Sequence, residues 1–548
     1  MIGKYKKLIL KTQNTILSAA FILAVANGVN ALLGFVKGRL LATYFGDSTE
    51  LAVFYTADRI PDLLYSVLVV GALATVFIPV FTTLYKKNKE KAWETASSMI
   101  NITMFLFFIF GIITFIFAPQ IIKLLSIGKF GEYEVALGAG LMRIMISAQL
   151  LLVGSSFVTS ILQSFKYFFV PALAPIAYNL GFIAGIIFLA PRFGIFGPAL
   201  GVVFGAILHL AIQLPLMRQV KYKLTFSFSF YKNGTSEMFR LMPARIGSVL
   251  INSLITTINN SLAILVSTSA VVHLKFANQL QFFPVHLFGF SLAHASLPTL
   301  SEEGDDPNLG KFKRTFLTSF HQMMFLVIPA SMILFVLRVP IVRIVFGAAT
   351  FPWEATVKTS YTLAFFALSI FAQSGIYLTT RAFYALKDTL TPVKIGATTI
   401  LINVALSLLF VEYFELGVWS IALSFSIISI LNFLVLLYLF NKKVAGLDLR
   451  DLLVPFVKIS FAAIFMGISL YAPLKLLDKF VFDTTRTLPL IALTAVAGFT
   501  GSVVYLLLTW WFKVDEIKLL YKLVRKISVR KGTRVVASTT IGTREEIR

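Results

Sequence analysis

Two short stretches of this 548-residue chain share a pattern of glycine, aromatic and small apolar residues: GIFGPAL at 194–200 and GVWSIAL at 417–423. Each is preceded by a lysine with a proline five residues later, in KYFFVP at 166–171 and KDTLTP at 387–392. The lysine lies 28 residues before the glycine of the later motif in the first copy and 30 in the second. A repeated order of motifs at similar spacing predicts an internal duplication.

The duplication extends toward the start of each half. ADRI at 57–60 corresponds to ANQL at 277–280, and Pro79 and Pro298 follow these motifs at nearly equal distances. A set of six apolar segments therefore occurs twice. Six crossings return the chain to the side of the membrane on which it started, so both copies have the same orientation. Parallel repeats are typical of transporters whose substrate site lies between the halves, near the middle of the membrane.

The composition is that of a membrane protein. Hydrophobic residues make up 57% of the chain and charged residues 14%, with a mean hydropathy of +0.85. Stretches of about 20 apolar residues can cross a hydrocarbon core of about 30 Å, and they predict fourteen transmembrane segments, numbered 1 to 14 below. Their centres are expected near residues 26, 68, 106, 150, 178, 208, 254, 286, 326, 370, 402, 428, 464 and 499. The predicted fold is all-α: a polytopic membrane protein with 14 transmembrane helices, arranged as two parallel six-helix repeats plus two C-terminal helices.

Four parts of the chain follow from this pattern. We expect an N-terminal six-helix lobe at 1–233, a C-terminal six-helix lobe at 234–446, segments 13 and 14 at 447–512, and a basic cytoplasmic tail at 513–548. The loops are too short to hold a separate soluble catalytic domain.

The net charge of +24 reflects topology rather than nucleic-acid binding. Most basic residues lie in the tail and in every second loop. These loops share one side of the membrane, and the positive-inside rule assigns that side to the cytoplasm. Both termini are therefore expected in the cytoplasm. The tail is expected either to bind anionic membrane lipids or to act as a solvated topology anchor.

Segment 1 carries a polar stripe. Asn27, Asn30, Gly34 and Lys37 fall on one helical face. Because polar groups are costly in hydrocarbon, such a stripe faces a partner helix or a water-filled cavity. Hydrogen bonding between helices is the alternative to substrate binding for the asparagines.

Segment 7, which opens the second half, carries the matching stripe. Its members share one face of the helix and include one cation: Arg245, Ser248, Asn252, Thr256 and Asn259. Arg245 and Asn252 are candidates for substrate binding on the same argument.

Segments 2 and 8 supply further candidates. Asp58 and Arg59 precede Pro61, and Asn278 and Gln279 occupy the equivalent places before Pro284. Neighbours in a helix point to different sides, so Asp58 and Arg59 need not pair with each other. The two prolines interrupt helical hydrogen bonding and are expected at bends.

No catalytic, metal or cofactor site is predicted. The five histidines lack acids at metal-ligand spacing, and the chain contains no Cys. Neither a phosphate-binding loop nor a pair of membrane carboxylates is evident. The sequence therefore predicts no enzyme and no acid pair for proton coupling.

Four stretches carry a resemblance to a known family: GFVKGRLLATYFG (34–46), IPDLLYSVLVVGALATVFIP (60–79), FPVHLFGFSLAHASLPTLS (283–301) and ALKDTLTPVKI (385–395). With the helix count, they resemble the MurJ (MviN) family of lipid II flippases, in the multidrug/oligosaccharidyl-lipid/polysaccharide exporter superfamily. The resemblance covers residues 14–512.

The resemblance implies a flippase of peptidoglycan synthesis, and hence of cell shape. It would move lipid II, or another undecaprenyl-pyrophosphate-linked substrate, across the bacterial cytoplasmic membrane by alternating access. It also implies a cavity between the two lobes and a groove for the lipid tail beside segments 13 and 14. Cell-wall synthesis proteins are further candidate partners.

The chain departs from the family at several charged positions. The basic residue of segment 1 is kept as Lys37, but the acid that follows it in the family is Gly38. In segment 8 the Asp-Arg pair of the family becomes Asn278-Gln279. Family arginines and a glutamate fall on the uncharged Ala31, Tyr65 and Val70.

Lys37 and Arg39 close segment 1 with two charges. Lys37 ends the polar stripe, where it could hold a pyrophosphate oxygen as a point charge. Arg39 lies about 200° farther round the helix and is expected to point elsewhere, toward the outer headgroups. Snorkelling of both side chains to the interface is the alternative.

Two other functions fit the sequence less well. One is export of another polyprenyl-linked saccharide or of a cationic drug, for which membrane carboxylates would be expected. The other is a membrane scaffold for cell-wall synthesis that transports nothing, which the lost family charges would favour.

Overall fold

The structure is a computed structural model that describes residues 16–70, 76–220, 225–229, 234–480 and 486–517. The expected basic tail lies almost entirely outside the described residues. Helices account for nearly all of the described chain. In chain order they are α1 Ile16–Phe45, α2 Thr49–Ala57, α3 Arg59–Tyr65, α4 Ile78–Lys87, α5 Lys89–Ile116, α6 Ala118–Leu125, α7 Glu132–Ser164, α8 Phe169–Ala184, α9 Ala190–Phe193, α10 Phe196–Ala211, α11 Leu214–Met217, α12 Gly234–Val266, α13 Ala270–Pro284, α14 Ser291–Glu303, α15 Gly310–Val336, α16 Arg338–Phe346, α17 Trp353–Ala367, α18 Ile370–Ala385, α19 Leu390–Leu408, α20 Trp419–Lys443, α21 Leu449–Phe480 and α22 Thr487–Trp511.

All fourteen predicted centres fall within or between these helices at the expected places. Among the described residues, ten helical stretches are long and apolar enough to cross a membrane, or eleven if the bent pair α17 and α18 forms one span. Segments 1, 2 and 8 correspond to α1, to α2–α4 and to α13–α14. Segments 2 and 8 are broken into helices shorter than the 18 residues that a candidate span requires. The chain is a multi-pass, all-helical membrane protein.

The described helices form two compact units. The first consists of residues up to Phe283, Ile341–Phe366 and Thr389–Asn432. The second consists of Pro284–Pro340, Ala367–Asp388 and the residues from Phe433 onward. These units differ from the lobes expected at 1–233 and 234–446, and the lobes stay a prediction.

The second unit contains the two additional helices. α21 packs against both α15 and α22. Tyr505 of α22 donates a hydrogen bond from its hydroxyl to the carbonyl of Phe325, at 2.7 Å. Trp510 and Trp511 at the end of α22 are largely exposed, as is common for aromatic residues at a membrane interface.

The duplication is visible in the backbone at the lysines of the two repeat motifs. Lys166 and Lys387 both adopt the left-handed conformation, with φ of 63° and 60°. In each copy the next amide donates to a carbonyl five residues back, from Tyr167 to Leu162 and from Asp388 to Phe383. Each lysine therefore ends one helix in the same way before its proline begins the next.

Four π-helical turns recur at equivalent places in the two copies. Ser66–Val70 and Val285–Phe290 lie in segments 2 and 8, while Gly185–Leu189 and Leu409–Tyr413 lie in segments 5 and 11. Such turns often mark functional sites and bends. Pro61 and Pro284, as expected, lie next to helix breaks in segments 2 and 8.

Glycine permits very close packing of segments 5 and 6 in the first unit. A Cβ atom built on Gly185 would overlap the Cα atom of Gly201, and one built on Gly201 would lie 2.8 Å from the Cα atom of Gly185. A Cβ atom on Gly181 would meet Gly205 at 2.5 Å. Small residues at such crossings let helices associate through van der Waals contact in a membrane.

We expect Gly185→Ala to destabilise the protein by about 1–3 kcal/mol, because the added methyl group must push backbone away from backbone. Thermal unfolding of the purified protein in detergent measures the effect. Gly154→Ala in α7 is the matched control, because a Cβ atom there has nothing within 4 Å. Equal melting temperatures for the two variants would show that the segment 5–segment 6 contact is not tight.

Candidate functional site

Lys37 projects from α1 toward α8. Its Nζ atom lies 4.7 Å from the ring centre of Phe182, a cation–π distance. The side chain is half-buried, and the nearby carboxylate of Asp58 acts on its charge. Lys37 is therefore held inside the helical bundle of the first unit, as its place on the polar stripe predicts.

Arg59 lies at the junction of α2 and α3 and is buried. Its Nε atom donates to the carbonyl of Tyr55 at 3.0 Å, and its Nη2 atom lies 3.1 Å from Oδ2 of Asp58. Asp58 and Arg59, which need not pair by their positions in the sequence, form an ion pair at the junction of the two helices.

Two further charges complete the site, and sequence reasoning missed both. Lys275 of α13 lies over the ring of Tyr55, with 5.5 Å from Nζ to the ring centre. Asp62 follows Asp58 by one helical turn in α3. Electrostatic interactions connect Lys275 with Asp58, Arg59, Asp62 and Lys37.

We call Lys37, Asp58, Arg59, Asp62 and Lys275 the charge cluster. Three cations and two carboxylates give it a net charge of +1. Although no pair of membrane carboxylates is expected from the sequence, Asp58 and Asp62 both lie in segment 2, and the charge of Asp58 acts on Asp62. The spacing of four residues places both on one side of the chain.

An open cleft of about 170 Å³ gives access to part of the charge cluster. Its lining combines a cation, a carboxylate and three hydroxyl side chains: Arg59, Asp62, Leu63, Ser253, Thr256 and Thr257. Thr256 belongs to the predicted polar stripe of segment 7, so this part of the stripe faces the cleft. The side chains of Arg245 and Asn252, higher on the same helix, lie outside the described residues.

Asparagine pairs join segments 1 and 5 in the first copy and segments 7 and 11 in the second. Asn179 of α8 donates to Asn30 of α1 at 2.7 Å, and Asn403 of α19 donates to Asn259 of α12 at 3.3 Å. Asn30 thus takes part in interhelical hydrogen bonding, the alternative left open by the sequence. Asn27 is exposed and lies outside the charge cluster.

The two amides of segment 8 also make local contacts. Gln279 donates from Nε2 to the carbonyl of Gly34 at 3.0 Å, which ties α13 to α1. Asn278 accepts a hydrogen bond from Gln281 at 2.8 Å. Gln279 occupies the position of an arginine in the family, and Lys275 lies one helical turn before it. A cation displaced by one turn from the family position is the signal that could have identified Lys275.

Arg39 is turned away from the charge cluster. Its Nη1 atom donates to the carbonyl of Ile344 at 3.2 Å. This carbonyl belongs to the last turn of α16, and a contact of Arg39 with outer headgroups stays a prediction.

The end of α1 is closed by the loop after α16. The hydroxyl of Thr350 donates to the carbonyls of Ala42 and Thr43, both at 2.8 Å. Gly46 has φ +62°, and a Cβ atom on it would overlap the carbonyl of Thr350. We call these contacts the α1 end closure.

Next to the α1 end closure, Asp47 faces His273. Nε2 of His273 lies 3.4 Å from Oδ2 of Asp47. The interaction with His273 is the main cause that lowers the pKa of Asp47. A carboxylate with a lowered pKa contributes stability at neutral pH that is lost as the pH falls through that pKa.

Comparison with known proteins identifies the family. A family model described as "Lipid II flippase MurJ" matches residues 41–489. The chain is 27% identical over 462 residues to the "Probable lipid II flippase MurJ" of Buchnera aphidicola subsp. Acyrthosiphon pisum (strain APS), covering 83% of this chain and 90% of that one. The protein described in the same words from Borreliella burgdorferi is 25% identical over 477 residues, covering 86% and 91%.

Solved structures share the fold. "Lipid II flippase MurJ, inward closed conformation" superposes with a TM-score of 0.75 at 23% identity, covering 91% of this chain and all of that one. The inward-facing conformation of a multidrug resistance MATE family transporter of the MOP superfamily superposes with a TM-score of 0.64 at 14% identity, covering 76% and 94%. The family match extends over most of the chain, and the chain therefore belongs to the MurJ family.

Proposed function

We propose that this protein is a lipid II flippase of the bacterial cytoplasmic membrane, with both termini inside the cell. Family membership and the relatives named as lipid II flippases support the substrate. The observation on this chain that carries the proposal is the charge cluster, which places net positive charge among transmembrane helices beside an open cleft. A membrane-embedded charge of this kind is costly and indicates a substrate pathway.

The cations of the charge cluster suit a pyrophosphate. Arg59 can offer the remaining donors of its guanidinium to phosphate oxygens, because Asp58 already fixes its orientation. Lys37 and Lys275 act as point charges on either side. The hydroxyl groups of Ser253, Thr256 and Thr257 can donate to further oxygens along the cleft. A cationic drug would instead favour a site with net negative charge.

The α1 end closure supports alternating access. A carrier must seal one end of its pathway while the other is open, and the α1 end closure joins α1 to the loop after α16 by hydrogen bonds that can break and re-form. With the amino terminus inside, this seal lies at the outer face. The lobes expected at 1–233 and 234–446 would then rock about the charge cluster, and the lipid tail would lie beside α21 and α22.

Arg245 and Asn252 remain proposed contributors to substrate binding, on the strength of their stripe. Anionic lipids at the basic tail and cell-wall synthesis proteins are proposed partners. The protein is proposed to act by transport alone, with no catalytic step.

We expect Lys275→Ala to weaken pyrophosphate binding about 10- to 100-fold, because a charged hydrogen bond contributes roughly 1.5–3 kcal/mol. In a strain depleted of its own flippase, the variant should fail to restore outer-leaflet lipid II while reaching normal protein levels. Adding Gln279→Arg should restore activity in part, since it returns a cation to the same helical face one turn away.

Lys123→Ala is the matched control, because Lys123 is exposed and lies outside the charge cluster. Full complementation by Lys275→Ala would remove Lys275 from the proposed site. Normal lipid II with loss of another surface glycan on depletion would favour export of a different polyprenyl-linked saccharide. Normal transport of every such glycan would favour a scaffold.

We expect Gly46→Ala to open the α1 end closure. The substitution introduces left-handed strain of about 1–2 kcal/mol and a clash with Thr350. A loss of 1–2 kcal/mol shifts a two-state equilibrium about 5- to 30-fold. Because the chain contains no Cys, a single Ala42→Cys can report on the closure, since Ala42 is fully buried there.

A membrane-impermeant maleimide added outside cells should label Ala42→Cys slowly and the Gly46→Ala double variant severalfold faster. Lys129→Cys, an exposed site on the same expected face, controls for reagent access. Equal rates with and without Gly46→Ala would argue against the closure as a gate.

A further inference from the structure

Asp62 differs from the other acid of the charge cluster. The carboxylate of Asp58 is bonded to Arg59 at 3.1 Å. Within the described part of the chain, the Asp62 carboxylate has no ion pair within 4 Å, although its main-chain amide bonds to Asp58. Its side chain is half-buried and lines the cleft. Asp62 is therefore a carboxylate that is held by cations at a distance and can be reached from the cleft.

The charges that act on Asp62 come from its own helix, from the junction before that helix and from α13. Arg59 of α3 and Lys275 of α13 attract it, and Asp58 repels it. Tyr178 of α8 and Tyr65 of α3 are the other titratable groups near it. Lys37 of α1 acts on the same cluster through Lys275. The ionised form of Asp62 thus depends on two cations.

Those two cations are the ones proposed to bind the substrate. A pyrophosphate seated on Arg59 and Lys275 would bring two negative charges next to Asp62 and would engage the charges that stabilise its ionised form. Like charges at close range favour the protonated form of a carboxyl group. Substrate and ionised Asp62 therefore compete for the same positive charge.

We propose that Asp62 takes up one proton when the pyrophosphate binds and releases it when the substrate leaves. The proposal rests on the proposed function. The proton comes from a buffer acid in the surrounding solution, which is left as its conjugate base, and forms an O–H bond on a carboxylate oxygen of Asp62. Charge then balances: three cations, the single carboxylate of Asp58 and two phosphate charges sum to zero. A neutral loaded cluster avoids the cost of a net charge in a low-dielectric interior.

The direction of the pH effect follows from linkage. Binding that takes up a proton is favoured at low pH. Affinity should be constant below the pKa of Asp62 in the empty protein and fall about tenfold per pH unit above it. It should level off again above the pKa in the loaded protein.

The test is calorimetric titration of the purified full-length protein in detergent with a short-chain prenyl-pyrophosphate sugar. This probe is a pyrophosphate diester, whose two charges do not change near neutral pH. Titrations at one pH in two buffers of different ionisation enthalpy give the number of protons taken up per ligand. Between the pKa of Asp62 in the empty protein and that in the loaded protein, we expect the wild type to take up as much as one proton per ligand. Asp62→Asn should take up none and should bind the probe more tightly than the wild type at high pH.

Two variants make the assignment specific. Asp62→Glu keeps a carboxyl group and should keep proton uptake, and Asp58→Asn should keep it as well. Proton uptake that persists in Asp62→Asn, or that is lost only in Asp58→Asn, would overturn the assignment. Binding by the wild type without proton uptake at any pH from 5.5 to 8.5 would overturn the inference alone. Failure of the probe to bind at any pH would overturn the proposed function itself.

Discussion

The high cost of a charge inside a membrane governs the arrangement of the first unit. Lys37, Arg59 and Lys275 are each held by an aromatic ring, a carbonyl or a carboxylate rather than by lipid. Asp58 and Arg59 form their ion pair at the junction of α2 and α3. The junction within segment 2 is thus part of the site.

Much of the fold could be predicted from the sequence, because apolar length and repeated motifs are local properties. On that basis all fourteen predicted centres fall in helical stretches of the described chain. The contacts of single side chains could not be predicted in the same way. Arg39 donates to the carbonyl of Ile344, which is far away in the sequence. The place of Lys275 in the site follows only from its contact with Tyr55 and its interaction with Asp58. Lys37 was found because its polar stripe has a helical period, whereas Lys275 has no such stripe.

The two halves share backbone features more closely than chemistry. Left-handed lysines, π-helical turns and an asparagine pair recur in both copies. The charges do not recur, since four of the five members of the charge cluster belong to the first copy. A duplicated scaffold has therefore kept its bends and helix ends while its halves have taken different roles in binding.

Two of the departures from the family prove to be neighbours. A Cβ atom built on Gly38 would lie 3.0 Å from Oε1 of Gln279, so the positions that carry an acid and an arginine in the family face each other here. Losing only one of two facing opposite charges would leave the other unbalanced in a poorly solvated place. Their joint absence leaves neither charge unbalanced at this contact.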